Sequence, residues 1–345
     1  MDTFPPPARR LTRCLIVLGF LFTCQGCSHF GTFQRWQPAE IAVDGLSSVT
    51  VMEFDGEHGD AVASTLTARL YDGQFYSLVD RSQLSPVSQV SLGPDNQQNA
   101  ILRAARSANV DAIISGNVVE YRCEDQVLTD TSFSVNQHEG NHGEGMNVGF
   151  SNSQTLRREG TVTVSFRLID TMTGEVRATR QTSHHFEGVH DTRDPASVPL
   201  PTKGEVLTNL TNACVDDFTR MLAPHRAECR MKLATAIPFS NGWTAIRQGV
   251  KLAERGEWEA AERKWQEALA KNPMSDVATY NLAVAAAARE DYAQAENLAR
   301  DAIKLKHSDL YVDSLEVLRQ QHLQDDACQA QHATRVTQAS HRDWR

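Results

Sequence analysis

The sequence predicts two structural classes in one chain: an α/β domain with a mixed sheet and packed helices, then an all-α module of helical hairpins. Residues 161–170 alternate apolar and polar side chains, which is typical of a half-buried strand. The C-terminal third instead repeats itself with a spacing of 34 residues. A length of 345 residues, with 22% charged and 41% hydrophobic, suits a globular protein of about two domains.

The N-terminus predicts an export signal over residues 1–26. Three arginines precede an apolar run, residues 15–23, that is too short to span a membrane, which takes about 20 apolar residues. The run is followed by Gly26, Cys27 and Ser28. We therefore expect the signal to be removed from the mature protein.

The order Gly26-Cys27-Ser28 resembles the bacterial lipoprotein signal, in which the cysteine is acylated and becomes the first mature residue. The resemblance implies lipidation at Cys27, with palmitate among the acyl groups, and Cys24 is an alternative site. Ser28 is similar to the residue found in lipoproteins sorted to an outer membrane. We predict a lipid-anchored outer-membrane protein facing the periplasm, with a plainly cleaved signal or a membrane anchor as the alternatives.

Residues 27–46 are predicted to be a polar tether and residues 47–223 to form the α/β domain. Within that domain the hydrophobic periodicity predicts the order β-α-β-α-β-β-β-α. The predicted strands are 49–54, 75–80, 111–121, 161–170 and 175–185, and the predicted helices are 60–70, 97–108 and 205–222. Residues 122–159 are expected to be a long polar insertion.

A linker over residues 224–241 is predicted to precede helical repeats at 242–320, of which 311–320 form a capping helix, and a polar tail at 321–345. The 34-residue spacing relates Trp258 to Tyr292, Ala261 to Ala295 and Ala268 to Ala302. This pattern resembles the tetratricopeptide repeat, in which small residues let paired helices approach and aromatic residues fill the space between them. The resemblance implies that the module binds protein partners.

Four segments carry a resemblance to a known family. They are VTVMEF at 49–54, LVDRSQL at 78–84, NVDAIISGNVVEY at 109–121 and VSFRLIDTMTGEV at 164–176. Together, and behind a lipidation signal, they resemble the CsgG family of curli-secretion lipoproteins. The resemblance implies an envelope protein that works by assembly and not by catalysis.

In the secretion channel of that family, each subunit contributes two membrane-spanning hairpins. The corresponding regions here, residues 122–159 and 184–205, are rich in charged residues, and the second also contains several prolines, which disfavours strands that face lipid. We therefore predict a scaffold or accessory subunit of envelope assembly or curli-type secretion. A channel subunit is the alternative, and assembly of several copies remains open.

No motif for catalysis or cofactor binding was found, so the sequence predicts a non-enzymatic protein without a cofactor, a catalytic residue or a metal site. Five histidines resemble metal ligands in type, and a metal-dependent periplasmic enzyme is the remaining alternative. These histidines are His138, His142, His184, His185 and His190. The formal charge of −9 argues against nucleic acid as a partner.

Two further site predictions concern the mature chain. An oxidising periplasm permits disulfides, and the preferred pairing is Cys214 with Cys229, across the end of the predicted helix 205–222; a buried Cys214 thiol and a bond to Cys328 are the alternatives. A peptide-binding face is expected on the first helix of each repeat. Its candidate residues are Arg247, Lys251, Asn281 and Arg289, which would suit an acidic or carboxylate-ending peptide.

Overall fold

The computed structural model describes residues 28–41, 45–87, 94–140, 143–191 and 197–342. The chain divides into two compact units, Gln37–His225 with Ala327–Arg345, and Met1–Trp36 with Arg226–Asp326. We call the first the α/β unit and the second the helical unit. The predicted signal peptide and Cys27 lie outside the described residues.

Sixteen elements follow one another along the described chain. In order they are β1 (His29–Gln37), β2 (Ser48–Val51), α1 (Gly59–Gly73), β3 (Ser77–Leu78), a 3₁₀ helix (Arg81–Val87), α2 (Pro94–Ser107), β4 (Ala112–Gly140), β5 (Gly143–Asp170), β6 (Val176–Asp191), α3 (Lys203–Leu222), β7 (His225–Leu233), α4 (Trp243–Ala253), α5 (Trp258–Lys271), α6 (Asp276–Ala288), α7 (Tyr292–Leu305) and α8 (Asp309–Arg342).

The α/β unit contains a five-stranded sheet in the order β3-β2-β4-β5-β6. Strand β2 runs parallel to both β3 and β4, whereas the β4–β5 and β5–β6 pairs are antiparallel. The sheet is therefore mixed, and the predicted order β-α-β-α-β-β-β-α is confirmed over β2 to α3. A carboxylate joins the strands at their start, because Asp111 Oδ2 accepts hydrogen bonds from the backbone N–H groups of Ser47 and Ser48 at 2.8 and 2.9 Å.

The core of the α/β unit forms between the sheet and helices α1 and α3. Phe166 of β5 is fully buried, stacks on Phe218 of α3 at 4.4 Å between ring centroids and meets Phe54 edge-on at 5.5 Å. Val62, Leu66 and Leu70, which recur every four residues along α1, are buried in the same cluster. Apolar residues at helical spacing therefore cover one face of the sheet.

Strands β4 and β5 form a hairpin that continues beyond β6. Their pairing runs from Ala112–Asp170 to Gly140–Gly143, while β6 pairs with β5 only from Thr155 to Ile169. We call residues 129–140 and 143–154 the hairpin extension. The prediction of a polar insertion over 122–159 was therefore wrong, because two strands with few apolar residues each still satisfy one another's backbone groups by pairing.

The register of the hairpin extension places like residues opposite one another. Phe133 pairs with Phe150 and Val135 with Val148, and the intervening positions pair Ser132 with Ser151, Ser134 with Gly149 and Asn136 with Asn147. Since successive strand positions belong to opposite faces, the apolar pairs share one face and the polar pairs the other. The alternation is confined to these five positions of each strand, and the remainder of the hairpin extension is mostly polar.

The helical unit contains antiparallel hairpins whose helices follow the predicted repeat. Helices α5 and α7 begin at Trp258 and Tyr292, the two residues that the 34-residue spacing relates. The small residues of the pattern, Ala261, Ala268, Ala295 and Ala302, are fully buried. The all-helical character predicted for this region is confirmed, and the arrangement is consistent with tetratricopeptide-like hairpins.

Three predicted irregular segments are ordered instead. The tether at 27–46 contains β1, the linker at 224–241 contains β7, and these two strands form a two-stranded sheet. The tail at 321–345 belongs to α8, which continues to Arg342. Sequence reasoning missed the strands because β1 mixes aromatic with polar residues and β7 is rich in charged ones. It missed the helix because few apolar residues recur after Leu318. Buried Gln321 and Cys328 show that α8 still packs there.

No helix within the described part of the chain combines the length and the apolar character needed to cross a membrane.

We predict that Gly249→Val destabilises the helical unit. A Cβ atom at this position of α4 would lie 2.4 Å from Nε1 of Trp265, which is fully buried and donates to the Ile246 carbonyl at 3.3 Å. Overpacking of this kind costs about 1–3 kcal/mol. Urea unfolding followed by far-UV circular dichroism should show a lower midpoint for the variant. Gln248→Ala, at the neighbouring exposed position, is the control, and equal midpoints would contradict the prediction.

Candidate functional site

The first described strand, β1, is held against the helical unit by Trp258 at the start of α5. The indole Nε1 donates to the Thr32 carbonyl at 3.2 Å, and the ring meets Phe33 edge-on with centroids 5.6 Å apart. Between these contacts lies Gly31, where a Cβ atom would come within 2.3 Å of the indole ring. Glycine is therefore required for the close approach of the strand to this side chain.

Both ends of β1 are also attached to the helical unit. At the start, His29 Nδ1 lies 2.6 Å from Glu254 Oε1, just after α4. Near the end, the Arg35 guanidinium donates to the Gln324 side chain of α8. The strand thus contacts the helical unit from its first residue onward. Only Ser28 separates Cys27 from the start of this strand at His29.

Strand β7 contributes two arginines to the β1 side chains. Arg230 lies over the Phe30 ring at 4.0 Å, and Arg226 lies over Trp36 at 4.4 Å, both measured to the ring centroid. A guanidinium over an aromatic face is worth about 0.5–1 kcal/mol at an exposed site. Arg226 also forms an ion pair with Glu290. These contacts add side-chain attraction to the pairing of the two strands.

The end of β7 lies against α6, where the free peptide-binding face had been predicted. Asn281 is fully buried and binds one residue of this same chain: its Oδ1 accepts from the Ala234 N–H, and its Nδ2 donates to the Ala234 carbonyl, both at 2.9 Å. The neighbouring Tyr280 hydroxyl donates to the Lys232 carbonyl at 2.7 Å. The assignment of Asn281 to a free binding face was therefore wrong, because its side-chain amide already supplies the hydrogen-bond partners of a buried backbone N–H group and carbonyl.

The other three predicted face residues do not join Asn281. Arg289 forms an ion pair with Glu262 and a 3.0 Å hydrogen bond with Gln294. Arg247 lies 5.7 Å from the centroid of the Trp243 ring, and Lys251 is exposed on the same helix. Arg247 and Lys251 are four residues apart, so they share one face of α4. Their role in partner binding stays a prediction.

The tyrosines that surround the β7 end were not identified from the sequence. Burial raises the pKa of Tyr280 to about 12, and it also raises the pKa of Tyr311, whose ring stacks on Tyr280 at 4.6 Å. Tyr280 therefore remains a protonated donor at neutral pH. The signal available in the sequence was a Tyr-Asn pair in the middle of an otherwise alanine-rich helix, where bulk and polarity are unexpected.

The structure contradicts the predicted Cys214–Cys229 disulfide. Both residues are buried free thiols. Cys214 belongs to the core of the α/β unit, where its Sγ lies 3.5 Å from the Val162 carbonyl, whereas Cys229 accepts a hydrogen bond at 3.0 Å from Gln321 in the helical unit. Burial raises the pKa of both thiols, which makes them less reactive. Proximity in sequence had been taken for proximity across a helix end.

The histidines of β6 have separate partners. His184 Nε2 lies 2.8 Å from Asp217 Oδ2, His185 Nδ1 lies 3.2 Å from Thr161 Oγ1, and His190 Nδ1 lies 2.9 Å from Ser197 Oγ. Among the residues the structure describes, no group of three or more histidine, cysteine or acidic side chains could hold a metal ion. His142 lies outside these residues.

Several solved structures are similar to this chain at low identity. A PelC dodecamer from Paraburkholderia phytofirmans is 19% identical, with 54% of this chain and 95% of that chain covered and a TM-score of 0.25. The LpoB C-terminal domain from Escherichia coli is 15% identical, with 42% and 89% covered and a TM-score of 0.25. A lipoprotein from Neisseria meningitidis is 14% identical, with 50% and 98% covered and a TM-score of 0.27.

A search of curated proteins gave no match. Among family models, residues 37–192 match the one described as the curli production assembly/transport component CsgG. The match begins at the first residue of the α/β unit and extends past the end of β6, so it includes the entire five-stranded sheet and the hairpin extension. Residues 37–192 of this chain form a CsgG-family domain.

Proposed function

We propose that this chain is a lipid-anchored outer-membrane protein that faces the periplasm and acts in envelope assembly or secretion through contacts with other proteins. The observation that carries the proposal is the CsgG-family domain at residues 37–192, which follows closely behind the Gly26-Cys27-Ser28 motif. The family is described as an assembly and transport component, and that work needs binding surfaces. We therefore assign the chain a non-enzymatic role.

The anchor rests on the chemistry of Cys27. Each buried methylene of an acyl chain contributes about 0.8 kcal/mol, so several chains on one residue hold a protein at a membrane. The formal charge of −9 gives the body of the protein no electrostatic attraction to anionic headgroups. Membrane association is therefore expected to depend on the acyl groups.

We predict that Cys27→Ser abolishes acylation and membrane association. Cells grown with radiolabelled palmitate should give a labelled mature protein in the outer-membrane fraction, and the variant should be unlabelled and absent from that fraction. Cys24→Ser is the matched control, because it alters the neighbouring cysteine and leaves Cys27 intact. An unlabelled parent protein that is released by osmotic shock would contradict the proposal.

For protein partners we propose the exposed face of α4 that carries Arg247 and Lys251. Two cations one helical turn apart would attract acidic or carboxylate-ending segments. The support for this surface is its exposure and its sequence spacing, since the other predicted position, Asn281 of α6, is already bonded to the end of β7.

We predict that Arg247→Glu with Lys251→Glu lowers partner recovery at least tenfold when the tagged full-length protein is isolated from envelope extracts, as expected for loss of about 1.4 kcal/mol or more. Lys304→Glu with Lys306→Glu is the control, because it makes the same change in charge at exposed positions of the helical unit. Equal recovery by both double variants would remove α4 as the binding surface.

A channel subunit is the second candidate, and the hairpin extension favours it. Each of its strands has twelve residues, and a membrane-spanning strand needs about 9–11. From Ser132 to Asn136 and from Asn147 to Ser151, one face carries the pairs Phe133–Phe150 and Val135–Val148, and the other carries serine, glycine and asparagine. Alternation of this kind is expected of a strand with lipid on one side and water on the other, although Glu139 pairs with Glu144 on the same face as the aromatic pair.

If the chain forms a channel, Phe150→Arg should abolish ion conductance in planar bilayers, because arginine facing lipid costs about 2–4 kcal/mol in each subunit. Ser151→Arg, one position along and on the opposite face, should retain conductance with altered ion selectivity. Native mass spectrometry of the detergent-extracted protein gives the oligomeric state. A monomeric protein that shows no conductance would exclude the channel role, and the scaffold role would then be the remaining proposal.

A further inference from the structure

We infer that the turn between α4 and α5 lies at the lipid surface, so that the helical unit is the part of this protein held against the phospholipid headgroups. We call residues 254–257 the anchor-side turn. The inference rests on the proposed lipidation of Cys27 and adds to it which surface of the folded chain meets the membrane. Its structural basis is the attachment of β1.

The distance from the lipidated residue to the fold is very short. Cys27 is two residues before His29, and a fully extended chain spans at most about 3.6 Å per residue. The His29 backbone is therefore within about 7 Å of the Cys27 backbone. His29 in turn contacts Glu254 of the anchor-side turn at 2.6 Å between Nδ1 and Oε1. The acylated residue and the turn are thus neighbours.

The strand that makes this connection is fixed along its length. Gly31 is packed against the Trp258 indole, Thr32 accepts a hydrogen bond from it, and Phe33 is 94% buried beside it. A flexible tether would let the fold move tens of ångströms from the membrane, whereas a strand held by three successive residues does not. The anchor therefore determines the position of the helical unit as well as its compartment.

The charges of the anchor-side turn are compatible with a headgroup surface. Arg255 forms an ion pair with Glu257 at 2.7 Å, and Glu254 Oε1 lies within hydrogen-bond distance of His29 Nδ1, so each carboxylate has a polar or charged partner. An acidic surface without such pairing would be repelled by anionic lipids. The headgroup region of one leaflet is about 5–7 Å thick, which is similar to the reach of the two residues between Cys27 and His29.

The experiment uses the full-length mature protein extracted from membranes and reconstituted into phosphatidylethanolamine and phosphatidylglycerol vesicles that contain a headgroup-nitroxide lipid. A fluorophore is attached at Arg255→Cys in a Cys123→Ser background, because the other three described cysteines are buried. The matched variant carries ten glycine and serine residues inserted between Ser28 and His29. The insertion leaves every contact of β1 in place and lengthens the tether by about 17–19 Å root-mean-square.

Nitroxide quenching of the fluorophore should be at least about twofold stronger with the native spacing than with the insertion, because only the native spacing keeps the turn among the headgroups. Quenching that the insertion does not change, in protein that remains on the vesicles, would overturn the inference and leave lipidation standing. Protein that fails to associate with vesicles at all would overturn the lipidation and this inference with it.

Discussion

The hydrogen bonds between Asn281 and Ala234 are the constraint on which the helical unit depends. A strand end that enters a helical groove brings backbone N–H and C=O groups away from water, and each costs about 1–3 kcal/mol if it stays unpaired. Asn281 supplies one acceptor and one donor at 2.9 Å, and Tyr280 supplies a further donor to Lys232. With β7 fixed in this way, β1 can pair with it, and the segment behind the predicted anchor becomes part of the fold.

The sequence predicted the α/β unit well because its periodic segments are also its buried ones. Strand β5 alternates over Val162, Val164, Phe166 and Leu168, all of which lie in the core, and α3 buries apolar residues at helical spacing from Val206 to Phe218. The hairpin extension escaped prediction for the opposite reason. Its apolar residues alternate over only a few positions of each strand and the rest of both strands is polar, so local periodicity did not indicate two strands of this length.

The candidate site was predicted less well, because sequence reasoning cannot distinguish a groove that awaits a partner from one filled by the same chain. Asn281 stood at the expected position on the first helix of a repeat, yet its ligand is Ala234, 47 residues earlier. Strand β1 was missed for a related reason. Gly31, Phe33 and Trp36 lie in a segment that is polar apart from scattered aromatic residues, which is typical of a tether. Their contacts with Trp258 and Arg226 become visible only in the structure. Such contacts between distant segments are not visible in local composition.

In a chain with a CsgG-family domain followed by tetratricopeptide-like hairpins, the hairpins would be expected to bind a protein partner. The contacts of the helical unit favour a different role for them. Asn281 of α6 is already bonded to the end of β7, the first strand of the unit lies two residues from Cys27, and α4 carries two exposed cations. The CsgG-family domain contains the long β4–β5 hairpin within its matched residues. Under the proposed lipidation of Cys27, the helical unit would serve first as the base of the anchor, and the partner surface that we propose for it is the exposed face of α4.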